Sequence, residues 1–375
     1  MTPTDHSDPV NSRILEVSED QIVGFARSPF AEIARKSGLD LVIVTERIRA
    51  MLKAGTIRRV RQTLLATNLA EGALVAWKFP PAKLDAAFAF MEKEDPFSGH
   101  VVIRSADVQA PGAEYRLWTT LKVPSGKSLE DHCRLLARIT GADDFQIMPA
   151  KGIFALGVGH TRRKKIEPGD RCHGPAQMVP TGIVHLTDHE WLILMALKRE
   201  FTPEEIREPA WTARAEEACV PLDEFFRVAE SMHARRLLGR FSTFLEHVKP
   251  SSTGESVTRF NALFHWAVPL GREVEGGQEI GRHEILTHCY WRDAGPIFAN
   301  VNIMAVAHGV ERPLVLAHKA AIDQHLAEAG IPVSHTNILW GGRSEIKPSE
   351  ISPFKYQEWR TLMKERFPDQ SGCRP

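Results

Sequence analysis

Residues 286–292 read LTHCYWR. On an extended strand His288, Tyr290 and Arg292 fall at i, i+2 and i+4 and project from one face, while Cys289 points to the other and is expected to be buried. An imidazole that titrates near neutrality, a phenol and a permanently charged guanidinium, side by side, can grip an anionic group and move a proton. An earlier stretch, SGHVVIR, repeats the His-x-x-x-Arg spacing with His100 and Arg104. From spacing alone, such a set is more often the solvated face of a half-exposed sheet, so the elements that carry it have to decide.

Those elements come twice. In the first half, FAEIARKSGLDLVIVTERIRAMLKAGTIRRVRQTLL has a short apolar-periodic helix, a turn at Gly38, and a second helix with Leu41, Val44, Ile48 and Leu52 at helical spacing. Gly55 then stops the chain before a β-rich stretch. The pattern predicts a winged helix-turn-helix. A looser copy runs through LDEFFRVAESMHARRLLGRF, with its turn region stretched around Pro209. Each unit is followed by a strand ending in tryptophan, GALVAWKFP and NALFHWAVP, and then by the His-x-x-x-Arg strand. A third strand, a long helix and a last strand complete the order β-α-β-β-α-β, a ferredoxin-like unit. A helix after the first strand is legible only in the first copy. The fold class is therefore α+β, a tandem repeat of winged helix and ferredoxin-like domain. The expected boundaries are 14–67 and 68–160, a linker at 161–183, then 184–248 and 257–348, with a C-terminal tail at 349–375. Trp77 and Trp266 read as packing residues, and His265, His308 and His335, on apolar strands, as satisfied or edge histidines, with lining of a pocket as the lesser reading.

Composition excludes several classes. The chain has 375 residues, 43% hydrophobic and 25% charged, which suits a soluble protein of two or more domains. Lysine plus arginine equals aspartate plus glutamate at 47 each, so no global field favours nucleic acid or an anionic membrane. The basic run at 162–165 reads as solvated linker. Five scattered cysteines, Cys133, Cys172, Cys219, Cys289 and Cys373, form no CxxC pair, against both a disulfide framework and a thiolate metal site. The polar N-terminus and the short apolar run at WLILMAL predict a cytoplasmic protein without a membrane span.

The order of winged helix and ferredoxin-like domain resembles the Lrp/AsnC regulators. Particular strings are more selective: GTIRRV, the strand ending in Trp with a following Pro, HCYWR, YRLWTTLKV, MPAKGIFALGV and GGRSEIKP are similar to the siroheme decarboxylases of haem and haem d1 biosynthesis. That family is usually two related subunits, which here look fused. Its pattern, His-x-Tyr-x-Arg followed by Tyr-Asn-Leu-Trp, is divided between the halves. His288, Tyr290 and Arg292 match in the second half, where Asn302 alone stays near its place in the following strand. Tyr115, Leu117 and Trp118 match in the first, where Val102 replaces Tyr and Arg116 replaces Asn.

The resemblance implies a carboxy-lyase acting on acetate side chains of an iron tetrapyrrole, siroheme or haem, with no cofactor beyond that substrate. His288 and Tyr290 would be catalytic. Arg292, His100, Arg104, Tyr115, Trp118 and Asn302 would bind substrate, with Arg58, Arg59 and Arg240 as weaker carboxylate ligands. No metal would be held by the protein, unless His288 ligates the iron. The halves would pair internally, and the chain could further form a homodimer. The alternative readings are an Lrp/AsnC-type DNA-binding regulator and a non-catalytic haem-binding protein. DNA is disfavoured by Asp40 and Glu46 on one candidate recognition helix and by Asp223, Glu224 and Glu230 on the other.

Overall fold

The computed structural model describes residues 2–65, 68–156, 166–180, 182–246 and 259–368. The basic run at 162–165 and Cys373 lie outside the described residues. The first half gives α1 (Pro9–Ser18), β1 (Ile22–Val23), α2 (Pro29–Ser37), α3 (Leu41–Ala54) and β2 (Ile57–Leu64). It continues with β3 (Ala70–Lys78), α4 (Leu84–Lys93), β4 (Ser98–Ser105), β5 (Leu117–Pro124), α5 (Leu129–Thr140) and β6 (Asp144–Leu156). After β7 (Val179–Pro180), the second half gives α6 (Asp188–Lys198), α7 (Thr212–Glu217), α8 (Leu222–Ala234) and β8 (Leu238–Leu245). It ends with β9 (Phe260–Ala267), α9 (Glu273–Gly281), β10 (Leu286–Arg292), β11 (Ile303–Gly309), α10 (Arg312–Glu328), β12 (His335–Ile346) and α11 (Pro353–Arg366). The fold is α+β. Among the described residues no helix is long and apolar enough to cross a membrane.

Local chemistry sets the helix ends. Asp40 accepts from the Val42 amide to start α3, and α2 and α3 both stop at left-handed glycines, Gly38 (φ 64°) and Gly55 (φ 80°). Helix α1 starts ahead of the expected boundary at 14, with Asp8 accepting from Val10 and Asn11.

Two compact units result, and each draws on both halves. One joins Met1–Leu65 to Val184–Arg259, so the segments expected as separate domains at 14–67 and 184–248 share one core. Strand β8 lies between β1 and β2 in a three-stranded sheet. Phe30 and Phe241, 5.3 Å apart, pack with Phe201 and Trp211, 5.4 Å apart, against that sheet.

The other unit is a ring of antiparallel strands. In each half the order β-α-β-β-α-β places the first strand between the third and the fourth. The fourth strands are long enough to serve two partners. Strand β6 pairs with β3 through 144–149 and with β10 of the other half through 150–156. Strand β12 likewise pairs with β9 and then with β4. The ring thus closes as β10-β11-β9-β12-β4-β5-β3-β6 and back to β10. Alternate residues divide it into layers. Trp77, Leu117 and Leu121 face the first half's helices, and Trp266, Phe264 and Cys289 face the second half's. A third cluster, with Ala76, Val102, Trp118 and Met148 from the first half and Leu263, Phe298, Met304 and Leu339 from the second, lies on the ring's inner face.

Three expectations change. Helix α9 was not legible in the second copy, because EVEGGQEIG carries three glycines, two of them adjacent at Gly276 and Gly277, that weaken helix propensity. Packing explains them: a Cβ at Gly277 would run into the Phe154 ring, so only glycine lets α9 lie on β6. The expected tail contains α11, whose Tyr356, Trp359 and Met363 are buried in the first half's outer layer. Their spacing is an apolar stripe of helical period. The described part of the expected linker is docked as well. Its Cys172 and Ala176 amides donate to Arg282 and Gln278 carbonyls, and β7 pairs with β6.

Candidate active site

Strand β10 carries the opening motif. Cys289 is fully buried in the outer layer, and burial pushes its thiol up, while His288, Tyr290 and Arg292 take the opposite, inner face. The three side chains form a continuous stack. The His288 and Tyr290 rings lie nearly parallel with centroids 6.1 Å apart, and the Arg292 guanidinium sits 4.5 Å from the centre of the Tyr290 ring. Thr287 Oγ1 orients the imidazole through Nδ1 at 3.0 Å. Burial raises the Tyr290 phenol, against a smaller lowering by Arg292, so the phenol keeps its proton at neutral pH.

Strand β4 is the counterpart of β10, and its inner face carries His100, Val102 and Arg104. His100 Nε2 is 2.7 Å from Ser344 Oγ, and its amide donates to Thr120 Oγ1. Arg104 Nη1 donates to Asn261 Oδ1 at 3.1 Å and to the Leu339 carbonyl at 3.3 Å. Arg292 Nη1 donates to the Met148 carbonyl at 2.6 Å. Both arginines are almost fully buried, and among the described residues neither has a carboxylate partner. Desolvation pulls Arg104 down to about 9 and Arg292 to about 10, still high enough to keep both protonated at neutral pH. A buried charge without a counter-ion is costly, so this interior is prepared for an anion.

The remaining candidates fall into different roles. Trp118 is fully buried in the interior cluster and donates from Nε1 to the Tyr115 carbonyl, and the Tyr115 hydroxyl donates to Asp144. Both form wall. Asn302 is corrected: its Oδ1 accepts from the Val268 amide and its Nδ2 donates to the Val268 carbonyl, so it clamps the backbone beside β9. Arg58, Arg59 and Arg240 belong to the other unit, on β2 and β8. There Arg59 approaches Glu200 at 3.4 Å and Arg240 donates to the Glu19 carbonyl. Among the described residues no group of His, Cys, Asp or Glu has the arrangement to hold a metal ion. The expectation that His265 is internally satisfied is corrected: among the described residues its buried Nε2 has no hydrogen-bond partner. Leu263 and Ala267 flank it on β9 and both belong to the interior cluster, so its ring faces the same interior.

The family described as AsnC-like ligand binding domain matches residues 69–154, which are β3 to β6. A siroheme decarboxylase of Hydrogenobacter thermophilus is 24% identical over 302 residues, covering 79% of this chain and 82% of the relative. The chain is a homologue of a siroheme decarboxylase. The crystal structure of the siroheme decarboxylase NirDL has the same fold, with a TM-score of 0.65 at 20% identity, covering 94% of this chain and 98% of that one. A second NirDL structure, in complex with an iron-uroporphyrin III analogue, gives the same score over 95% and 99% of the two chains. These matches run through both halves of the chain.

Proposed function

We propose that this protein is a carboxy-lyase that removes CO2 from acetate side chains of an iron tetrapyrrole, as siroheme decarboxylases do, in haem or haem d1 biosynthesis. The observation that carries the reading is the His288–Tyr290–Arg292 stack, on the inner face of a ring that also buries Arg104 without a counter-ion. The similarity to siroheme decarboxylases, one of them crystallised with an iron-uroporphyrin III analogue, supports it.

The chemistry follows from the residues. Arg292 and Arg104 grip substrate carboxylates through their planar forks. When the bond between the acetate's methylene and its carboxyl carbon breaks, CO2 leaves. The electron pair stays on the exocyclic carbon and delocalises into the macrocycle. His288 then delivers the proton that completes the methyl group, and Tyr290 orients the substrate or relays that proton. No cofactor beyond the substrate is required, because the ring is the electron sink. Siroheme added anaerobically to the purified protein should lose mass in units of CO2 and show a shifted Soret band at one equivalent per chain. Absence of both would end the reading.

We read each half as a winged helix followed by a ferredoxin-like domain, with the two halves standing for the two subunits of the family and the whole acting in the cytoplasm, alone or as a homodimer. The winged-helix segments are structural on this reading. The exposed start of α3 presents Val42 and Ile43, 61% and 42% exposed, where phosphate contacts would need cations, and on α8 Glu230 is paired with Arg27. Duplex DNA should therefore bind weakly and be released by physiological salt. A footprint that survives at that salt would revive the regulator.

A further inference from the structure

We infer that the ring interior has a second, non-reacting pole, in which His265 and Arg104 together hold a carboxylate of the bound tetrapyrrole; the inference rests on the substrate reading above. Arg104 is 4% exposed and His265 2% exposed. Arg104 Nε and His265 Nε2 are both buried, and neither has a hydrogen-bond partner. The positive field of Arg104 reaches the imidazole, as does that of Lys319. Burial is the larger effect, and together they push His265 down to about 3, so the ring is neutral and, as its Nε2–H tautomer, a donor. Two buried donors beside an uncompensated guanidinium are what one carboxylate satisfies. It supplies the missing acceptors and the missing charge.

The two poles differ in a way that separates holding from reacting. Aligning the strands that end in Trp77 and Trp266 puts Asn261 and His265 where the first half has Gly72 and Ala76. The Arg292 pole has the Tyr290 phenol and the oriented His288. The Arg104 pole has Val102 in place of the phenol, and its histidine, His100, is engaged with Ser344. Trp118 and Phe298 hold the His265 ring at 5.9 and 6.4 Å. Fixed donors without an adjacent phenol suit a carboxylate that is retained and that registers the macrocycle so that another faces His288.

The test uses the full chain with siroheme as substrate and iron uroporphyrin III as binding probe. His265→Leu should raise KM for siroheme and Kd for the probe about tenfold, with a smaller effect on kcat, as expected for a lost hydrogen bond to a charged group. His265→Gln, which keeps an N–H donor, should stay within about threefold of wild type by the same reasoning. The unliganded melting temperature of His265→Leu should not fall, because an unsatisfied buried donor is removed. His265→Phe, which fills the volume without the donor, takes over the measurement if the leucine variant does not fold. Unchanged Kd in a folded donorless variant, or a fall in unliganded Tm with Kd unchanged, overturns the inference. Failure of wild type to bind the probe and to release CO2 overturns the underlying function instead.

Discussion

His288→Ala is expected to leave the iron tetrapyrrole bound and to slow CO2 release by roughly 10²- to 10⁴-fold, the usual contribution of a positioned acid. The geometry separates the two effects. Binding draws on the arginines and the apolar walls, whereas His288 stands at the end of the stack, turned by Thr287 Oγ1 and backed by the Tyr290 ring. Tyr290→Phe should act in the same direction but less severely, since its ring still supports both neighbours. A Soret titration beside a mass assay for CO2 loss checks the split. If His288→Ala abolishes the bound Soret spectrum, the imidazole is an iron ligand and the acid lies elsewhere. Full turnover in that variant removes LTHCYWR from catalysis altogether.

Arg292→Ala should show the converse, weakening binding by roughly ten- to a hundred-fold, the equivalent of about 1.5 to 3 kcal/mol for a charge-assisted bidentate contact. Among the described residues the guanidinium meets the Met148 carbonyl and the face of Tyr290, neither of which carries a negative charge, so an arriving anion would balance it. Arg292→Lys keeps the charge but loses the fork and should fall between wild type and alanine. Equilibrium titration with iron uroporphyrin III and with an iron porphyrin lacking carboxylates reads the effect. Equal loss for both probes would mean that Arg292 supports the wall and does not grip a carboxylate.

The inner face of β10 was legible because a strand has period two, and three chemically distinct residues at alternate positions leave one arrangement. The order of elements was legible for the same kind of reason, from turns and apolar period. What escaped depended on long-range partners. Gly276 and Gly277 look like helix breakers until Phe154 is seen against α9. An asparagine such as Asn302 reads the same from sequence whether its amide meets a ligand or the backbone of Val268. The sharing of one core by two distant helical segments follows from Phe30, Phe201, Trp211 and Phe241 meeting, which no local pattern encodes. Nor does it encode the second service of β6 and β12, whose extra length is the only trace of the other half's strand.

That shared service has a consequence for carrying both halves on one chain. A half separated from its mate would leave the backbone of β4 or β10 without one of its two neighbours and would open the interior cluster to water, so each half requires a mate. As free subunits, two unlike halves could also meet like with like, giving rings with two Arg292 poles or two Arg104 poles. Tethering converts the correct encounter into an intramolecular one and raises the effective concentration of each half at its mate. The covalent link thereby fixes composition as well as proximity: every ring receives one copy of each pole, and each pole is free to specialise without a duplicate of itself across the barrel.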